Sequence, residues 1–296
     1  MRFEHVHIAA VGLDQPPAAP AEGFLGDAVG GVVTSEEVEA ELAAVYGPLN
    51  LHPGRIELMS GIRERRFYAA GTRPSSIATS AGRRALEAAR ALGVTREHLG
   101  QLVFASVCRD FLEPASASVV HHELELEHHT SNFDLSNACL GFVDGMVLSA
   151  NLIESGVIPA ALVVAGEDGG PLVRETVRHL VAAGANRKQL KRAVASLTIG
   201  SGGAAMVLCH ADLLGHLGPH DRPPRLWGAA RRAATEHNVL CQGDTSASGG
   251  GPLMETDSEA LLVAGIALAR ETFGDFQAST GWELGDIQRV VTHQVG

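Results

Sequence analysis

Cys139 stands in the stretch "DLSNACLGFVDG", residues 134–145, where strand-like spacing gives way to helical spacing. Ser136 and Asn137 are helix-capping residue types, so a helix is expected to begin within a residue or two of the thiol. The N–H groups and positive dipole end at such a start stabilise a thiolate. They lower its titration from about 8.5 toward neutrality and can hold an acyl oxyanion. The competing reading makes Cys139 a small buried apolar residue, a common fate of a cysteine outside a disulfide. Spacing alone leaves both open. His293, in "VVTHQVG", follows an apolar run on a sharp polar step, a place from which a general base or an oxyanion donor can be presented. By itself it also reads as a hydrogen-bonded structural histidine. Glu113, in "RDFLEPAS", precedes Pro114 in a loop leading into a helix, and taken alone it is a solvated turn residue.

Other clusters carry less chemistry. "HHELELEHH" (121–129) matches no helical metal-ligand spacing, and no metal is expected. "GSGG" (200–203) is neither a nucleophile elbow nor a phosphate loop, and reads as a turn leading into a strand. Cys108, Cys209 and Cys241 lie within or beside apolar strands and loops and are read as structural. The four cysteines show no CxxC spacing, which fits reduced thiols in a cytoplasmic protein.

The elements that must position these residues alternate between β-branched runs and Ala- and Leu-rich segments, an α/β pattern. Strands are expected at 3–12, 101–107, 130–136, 161–168, 202–210 and 287–296. Helices are expected at 35–47 (capped by Ser35), 76–93, 115–126, 137–156 and 258–276, with a charged helical insert at 174–195. The helix after Cys139 is apolar nearly all round and is expected to be buried, with Gly141 and Gly145 allowing close packing or a substrate chain. The stretch from Ser76 to Val107 is echoed by the stretch from Ser258 to His293: a helix opening on serine, an "LGQL" or "LGDI" turn, then a strand. A duplicated α/β unit follows, with a site where the halves meet.

At 296 residues and 45% hydrophobic composition the chain has material for a large core. A net charge of −11 argues against nucleic acid or an anionic membrane as the main partner. A phosphate-bearing ligand would need a local basic patch, for which "GIRERRF" (61–67) and "WGAARRAATEH" (227–237) are candidates, although solvated helix faces are the simpler reading. No apolar run approaches the roughly 20 residues of a membrane span.

Three motifs in order, "SGIRERRF" (60–67), "SNACLGFVDGM" (136–146) and "VVTHQVG" (290–296), resemble the thiolase superfamily in its ketoacyl-ACP synthase III branch. "SVCRDFLEPASASVV" (106–120) and "ATEHNVLCQG" (234–243) are similar to the OleA-type head-to-head acyl-CoA condensing enzymes of olefin and β-lactone biosynthesis. The resemblance covers essentially the whole chain. It implies thiolase-like duplicated βαβαβαββ halves in an αβαβα layered dimer, here 1–195 with the nucleophile and 196–296 with the histidine. It implies Cys139 as acyl acceptor, His293 as the group polarising the second thioester, and Glu113 as a base reaching across a dimer into the partner's pocket. The substrates would be fatty acyl-CoA thioesters with no further cofactor, and the partner a second copy or a paralogous ketosynthase subunit. It also implies an Asn in a Gly-rich turn beyond the histidine. The sequence ends at Gly296, so the second half is expected to be incomplete. Two alternatives stand beside condensation of two acyl-CoAs: decarboxylative synthesis from malonyl-ACP, and a non-catalytic partner subunit. The Glu113 segment favours the first reading over decarboxylation, which makes its own carbanion and needs no base.

Overall fold

Five of the apolar runs pair with one another. The computed structural model describes residues 1–21, 23–24, 30–245 and 251–293. Its strands are β1 (Val6–Asp14), β2 (Gly31–Thr34), β3 (Glu64–Phe67), β4 (Leu99–Phe104), β5 (Ser131–Asp134), β6 (Ala160–Glu167), β7 (Gly202–His210), β8 (Cys241–Thr245) and β9 (Pro252–Thr256). Its helices are α1 (Ser35–Glu41), α2 (Ala43–Tyr46), α3 (Arg55–Ser60), α4 (Pro74–Arg90), α5 (Ser116–Glu123), α6 (Gly141–Glu154), α7 (Gly170–Ala182), α8 (Arg187–Leu197) and α9 (Ser258–Thr280). Two compact units are interleaved along the chain. One comprises 1–15, 71–168 and 202–229, and the other 16–70, 169–201 and 230–296.

The first unit is a sheet of order β1-β7-β6-β4-β5, with β4 parallel to β5 and β6, and β7 antiparallel to β6 and β1. Side chains alternate across it as the pleat requires. Leu102, Phe104, Leu162, Val164, Val207 and Cys209 pack with the alanines of α4 and with Ala117 and Val120 of α5. On the other face, Ala161 and Leu208 pack with Val147, Ala150 and Ile153 of α6. Both faces are covered, which is why the strands read as continuous apolar runs.

Helix α4 comes unusually close to the sheet. Its inner face is Ala78, Ala81, Ala85 and Ala89, all fully buried. Opposite lie Gly12, Gly166 and Gly203, with Gly166 and Gly203 paired across β6 and β7. A Cβ on Gly166 would be driven into the Pro74 carbonyl oxygen and one on Gly12 into that of Ala81, while one on Gly203 would lie 2.7 Å from Ile77 Cγ2. These positions have room for backbone only.

In the second unit β2 and β3 form an antiparallel pair, and Val38, Leu42, Ile56, Phe67, Val173, Val177, Leu190 and Leu197 form the core. Glu39 is 2% exposed. Its carboxylate accepts hydrogen bonds from the N–H of Gly54, from that of Ile56 (2.8 Å) and from the Tyr46 hydroxyl (3.1 Å), capping α3 from inside the core. Burial, then the Glu39 charge, push the Tyr46 phenol well above its ordinary range.

Several sequence expectations shift. The strand at 202–210, read as opening a second half, lies between β1 and β6 in the first unit's sheet, and the 195/196 boundary falls inside α8. An apolar run announces a strand but not its partners. The helix at 35–47 breaks at Leu42, and its cap is Thr34 rather than Ser35. Thr34 and Glu37 form a reciprocal capping box, while the Ser35 hydroxyl donates to Ile62 O at 2.6 Å. The echo holds through helix and turn. α4 is followed by a 3-10 turn at Arg96–His98 with a Thr95/His98 box, and α9 by one at Leu284–Asp286 with a Glu283/Asp286 box. It fails at the strand: residues 287–293 have no regular structure and residues 294–296 lie outside the described residues. Val290 is 72% and Val291 96% exposed, because among the described residues no strand takes up their ladder hydrogen bonds. No second five-stranded sheet forms among the described residues, and α9 has no buried residue. No described helix is long and apolar enough to cross a membrane.

Gly166→Ala is expected to destabilise the protein by about 1–3 kcal/mol through overpacking. Gly265→Ala, within α9 and with nothing within 4 Å of the added Cβ, should stabilise it by about 1 kcal/mol. Urea denaturation followed by far-UV circular dichroism measures both, and the opposite signs are the expected outcome.

Candidate active site

Cys139 sits where edge strand β5 hands over to α6. The Leu135 N–H still bonds Phe104 O at 2.8 Å, and the chain then bends through Ser136 and Asn137. Ala138 takes φ +46°, the left-handed region that costs a residue with a Cβ about 1–2 kcal/mol. A 3-10 turn, Ala138–Leu140, carries the thiol, and α6 begins at Gly141. Such strain immediately before a candidate nucleophile points to function. Asn137 stands at the expected cap, yet its side chain does not cap the turn and donates instead to Asp144 Oδ2 at 2.5 Å. Among the described residues no side chain caps α6 either. The turn is seated from below by Phe142, which packs with Phe133 and Leu135 over Val103, Ala105 and Val163.

Cys139 is exposed, which removes the reading of it as a small core residue. The helix after it is buried on one side only. Val147, Ala150 and Ile153 face the sheet, whereas Leu140 (57%), Val143 (53%) and Leu148 (38%) are exposed. Gly145 is where α6 meets the sheet, since a Cβ there would lie 3.0 Å from Val163 Cγ1.

Glu113 lies on the segment between β4 and α5. It is exposed, its peptide bond to Pro114 is cis, and its carboxylate has no partner among the described residues. Its neighbours Leu112 and Phe111 are 96% and 37% exposed, and the Arg73 guanidinium lies 5.6 Å from the Phe111 ring centre. Asp134 ties this segment to the cysteine turn. It ends β5 and accepts from the N–H groups of Ser116 (2.9 Å) and Ala117 (2.8 Å), capping α5. Glu113 and Cys139 therefore both stand beyond the C-terminal ends of adjacent parallel strands, the edge at which open α/β sheets bind ligands. His293, exposed, belongs to the second unit, at the end of the irregular 287–293 segment.

The other thiols differ. Burial, then the nearby Glu167 carboxylate, push Cys108 up to about 12, and burial alone pushes Cys209 up to about 12. Both stay protonated at neutral pH and are poor nucleophiles. The arginine-rich segments are largely committed within the fold. Arg65, 5% exposed, donates to Val33 O, Ser35 Oγ and Leu197 O, and Arg63 pairs with Glu57. Arg232 forks onto Asp275 (2.6 and 3.1 Å) and reaches Glu271 at 2.6 Å. A cationic rim that no motif announces appears instead in the second unit. There Arg55, Arg187 and Lys191 border a cavity of about 90 Å³ lined by Tyr46, Leu51, Met59, Leu190 and Val194. Its residues come from α2, α3, the connection between them and α8, too far apart in sequence for spacing to reveal.

The 3-oxoacyl-[acyl-carrier-protein] synthase III family profile matches residues 133–216. The acyl-CoA:acyl-CoA alkyltransferase of Xanthomonas campestris pv. campestris is 35% identical over 263 residues, covering 89% of this chain and 73% of that protein. The Shewanella oneidensis enzyme of the same name is 34% identical over 269 residues, covering 90% of this chain and 75% of its own. Among solved structures, cerulenin-bound Xanthomonas OleA superposes with a TM-score of 0.86 at 33% identity, over 100% of this chain and 78% of that one. A cysteine-to-serine variant of OleA with bound lauric acid and lauroyl-CoA gives a TM-score of 0.82 at 32% identity, over 97% and 77%. On identity sustained over nine-tenths of its length and on a matching fold, the chain belongs to the acyl-CoA:acyl-CoA alkyltransferase (OleA) family, within the ketoacyl-ACP synthase III branch of the thiolase superfamily.

Proposed function

We propose that the protein joins two fatty acyl-CoAs head to head by a non-decarboxylative Claisen condensation. The observation that carries this reading is an exposed thiol on a strained turn at the start of α6, in a chain of the OleA family. Cys139 sulfur attacks the thioester carbonyl of the first acyl-CoA, the S–acyl bond forms, and coenzyme A leaves as its thiol. Glu113 takes an α-proton from the second acyl-CoA, whose enolate oxygen His293 stabilises. The α-carbon attacks the acyl-Cys139 carbonyl, the C–C bond forms, the Cys139 thiol is released, and a β-ketoacyl-CoA leaves. A soft nucleophile, a base and oxyanion donors are what this chemistry needs.

Residue types and spacing support the assignment. Solved OleA variants alter one glutamate, one cysteine and one histidine, and the altered glutamate and cysteine are as far apart in sequence as Glu113 and Cys139. Glu113, beside the exposed Leu112 and Phe111, suits a base offered across a subunit interface. We therefore assign the working form as a dimer, with itself or a paralogous ketosynthase subunit, and four cysteines outside disulfides support a reducing compartment, the cytoplasm. Of the cations bordering the 90 Å³ cavity, Lys191 pairs with Glu259 and Arg187 donates to Leu49 O, which leaves Arg55, without a hydrogen-bond or ion-pair partner among the described residues, as the candidate for a coenzyme A phosphate. The synthase III profile match favours a second reading, decarboxylative condensation with malonyl-ACP. A catalytic requirement for Glu113 argues for the first, because loss of carbon dioxide generates the carbanion without a base.

Incubation with labelled acyl-CoA should place one acyl group on Cys139, seen by peptide mass spectrometry. Cys139→Ala should abolish the adduct without transferring it to Cys108. Glu113→Ala should leave adduct formation intact and lower β-ketoacyl product formation by about 10²–10⁴-fold, the scale of a lost general base. Both are measured with acyl-CoA as the sole substrate; wild-type product only when malonyl-ACP is added would reverse the choice of reaction.

A further inference from the structure

The Glu113 carboxylate has no hydrogen bond or ion pair among the described residues, so its position depends on how the segment from β4 to α5 is fastened. On its N-terminal side the first fastenings come from β6. The Gly166 N–H donates to Ser106 Oγ at 2.8 Å. Glu167, the last residue of the strand, accepts from the Val107 N–H at 2.7 Å with one carboxylate oxygen and from the Cys108 N–H at 3.1 Å with the other. Past that turn, Asp110 accepts from the N–H (2.9 Å) and hydroxyl (2.5 Å) of Ser75 at the start of α4, and its own N–H donates to Ser116 Oγ at 3.0 Å. Of these, only Glu167 grips two consecutive peptide N–H groups, and it does so from a strand in the interior of the sheet.

We propose that Glu167 is a positioning residue for the condensation step, clamping the Val107–Cys108 turn so that the loop leaving it carries Glu113 to the substrate α-carbon. The inference rests on the reading of Glu113 as the base. A carboxylate is the right group. Its two oxygens both accept, and charge-assisted bonds are roughly twice as strong as neutral ones. Glutamine offers one acceptor and turns an NH2 toward the other N–H, so one bond is lost and two donors face each other. A base displaced by about 1 Å costs on the order of 10² in rate. The same carboxylate charge lies against the Cys108 thiol, whose titration it helps push up to about 12, and this provides a reporter independent of turnover.

The test is Glu167→Gln in the full chain, with the coenzyme A burst read by quenched-flow chromatography and product formation read separately. The burst, which reports acylation of Cys139, is expected to stay within about threefold of wild type. Product kcat should fall about 30–100-fold with KM little changed, an effect of about 1 Å of misplacement. Alkylation of Cys108 should begin at lower pH, because a negative neighbour has been removed. Glu113→Ala/Glu167→Gln should be no slower than Glu113→Ala, since the clamp acts through the base. Unchanged product formation in Glu167→Gln, an equal loss of burst and product, or additive losses in the double variant would each overturn the inference. Retained condensation in Glu113→Ala would instead sink the assignment of the base. If Glu167→Gln does not fold, Glu167→Asp, which keeps the charge but withdraws it by one methylene, should show the same split between burst and product, and an equal loss of both again overturns it.

Discussion

Helix α4 lies on the central sheet with backbone against backbone at Gly12 and Gly166 and with Ile77 set directly on Gly203, and much of the first unit depends on that contact. Its alanine face permits the approach and the glycines require it. Interiors packed this densely transmit position rather than absorb it. Ser75, in the first turn of α4, donates to Asp110, and the Gly166 N–H bonds Ser106, so the helix and strand that meet at these glycines also hold both ends of the loop toward Glu113.

A second theme is the placement of carboxylates at strand ends. Asp134 ends β5 and caps α5, and Glu167 ends β6 and grips the turn after β4. Each satisfies backbone N–H groups that the end of a regular element leaves without partners. The C-terminal edge of the sheet thereby becomes a fixed platform from which Glu113 and Cys139 project. Glu39 solves the same problem in the second unit, holding the start of α3 from inside the core.

Environment also sets the proposed nucleophile apart from the other thiols. Cys108 and Cys209 are held as thiols near 12 by burial, and Cys108 additionally by Glu167. Cys139 stands exposed on a strained turn at a helix start. On the proposed assignment, one carboxylate supports the loop that carries the base and keeps the Cys108 thiol protonated.

Local signals determined a good deal. The apolar runs, the break at Asn137–Cys139 and the echo of helix and turn all follow from rules acting over a few residues, and most appear in the structure close to their expected places. Cys139, Glu113 and His293 could be named as candidates from residue type and ordered motifs, and their roles are those proposed above. What depended on partners was not. The strand at 202–210 joined the first sheet, residues 287–293 formed no strand, and the face of α6 bearing Val143 and Leu148 stayed exposed. Nor could spacing reveal Glu167, whose role arises from two N–H groups sixty residues away in sequence. Pairing, burial and hydrogen bonding between distant segments are energies of contact, and only the folded chain brings those segments into contact.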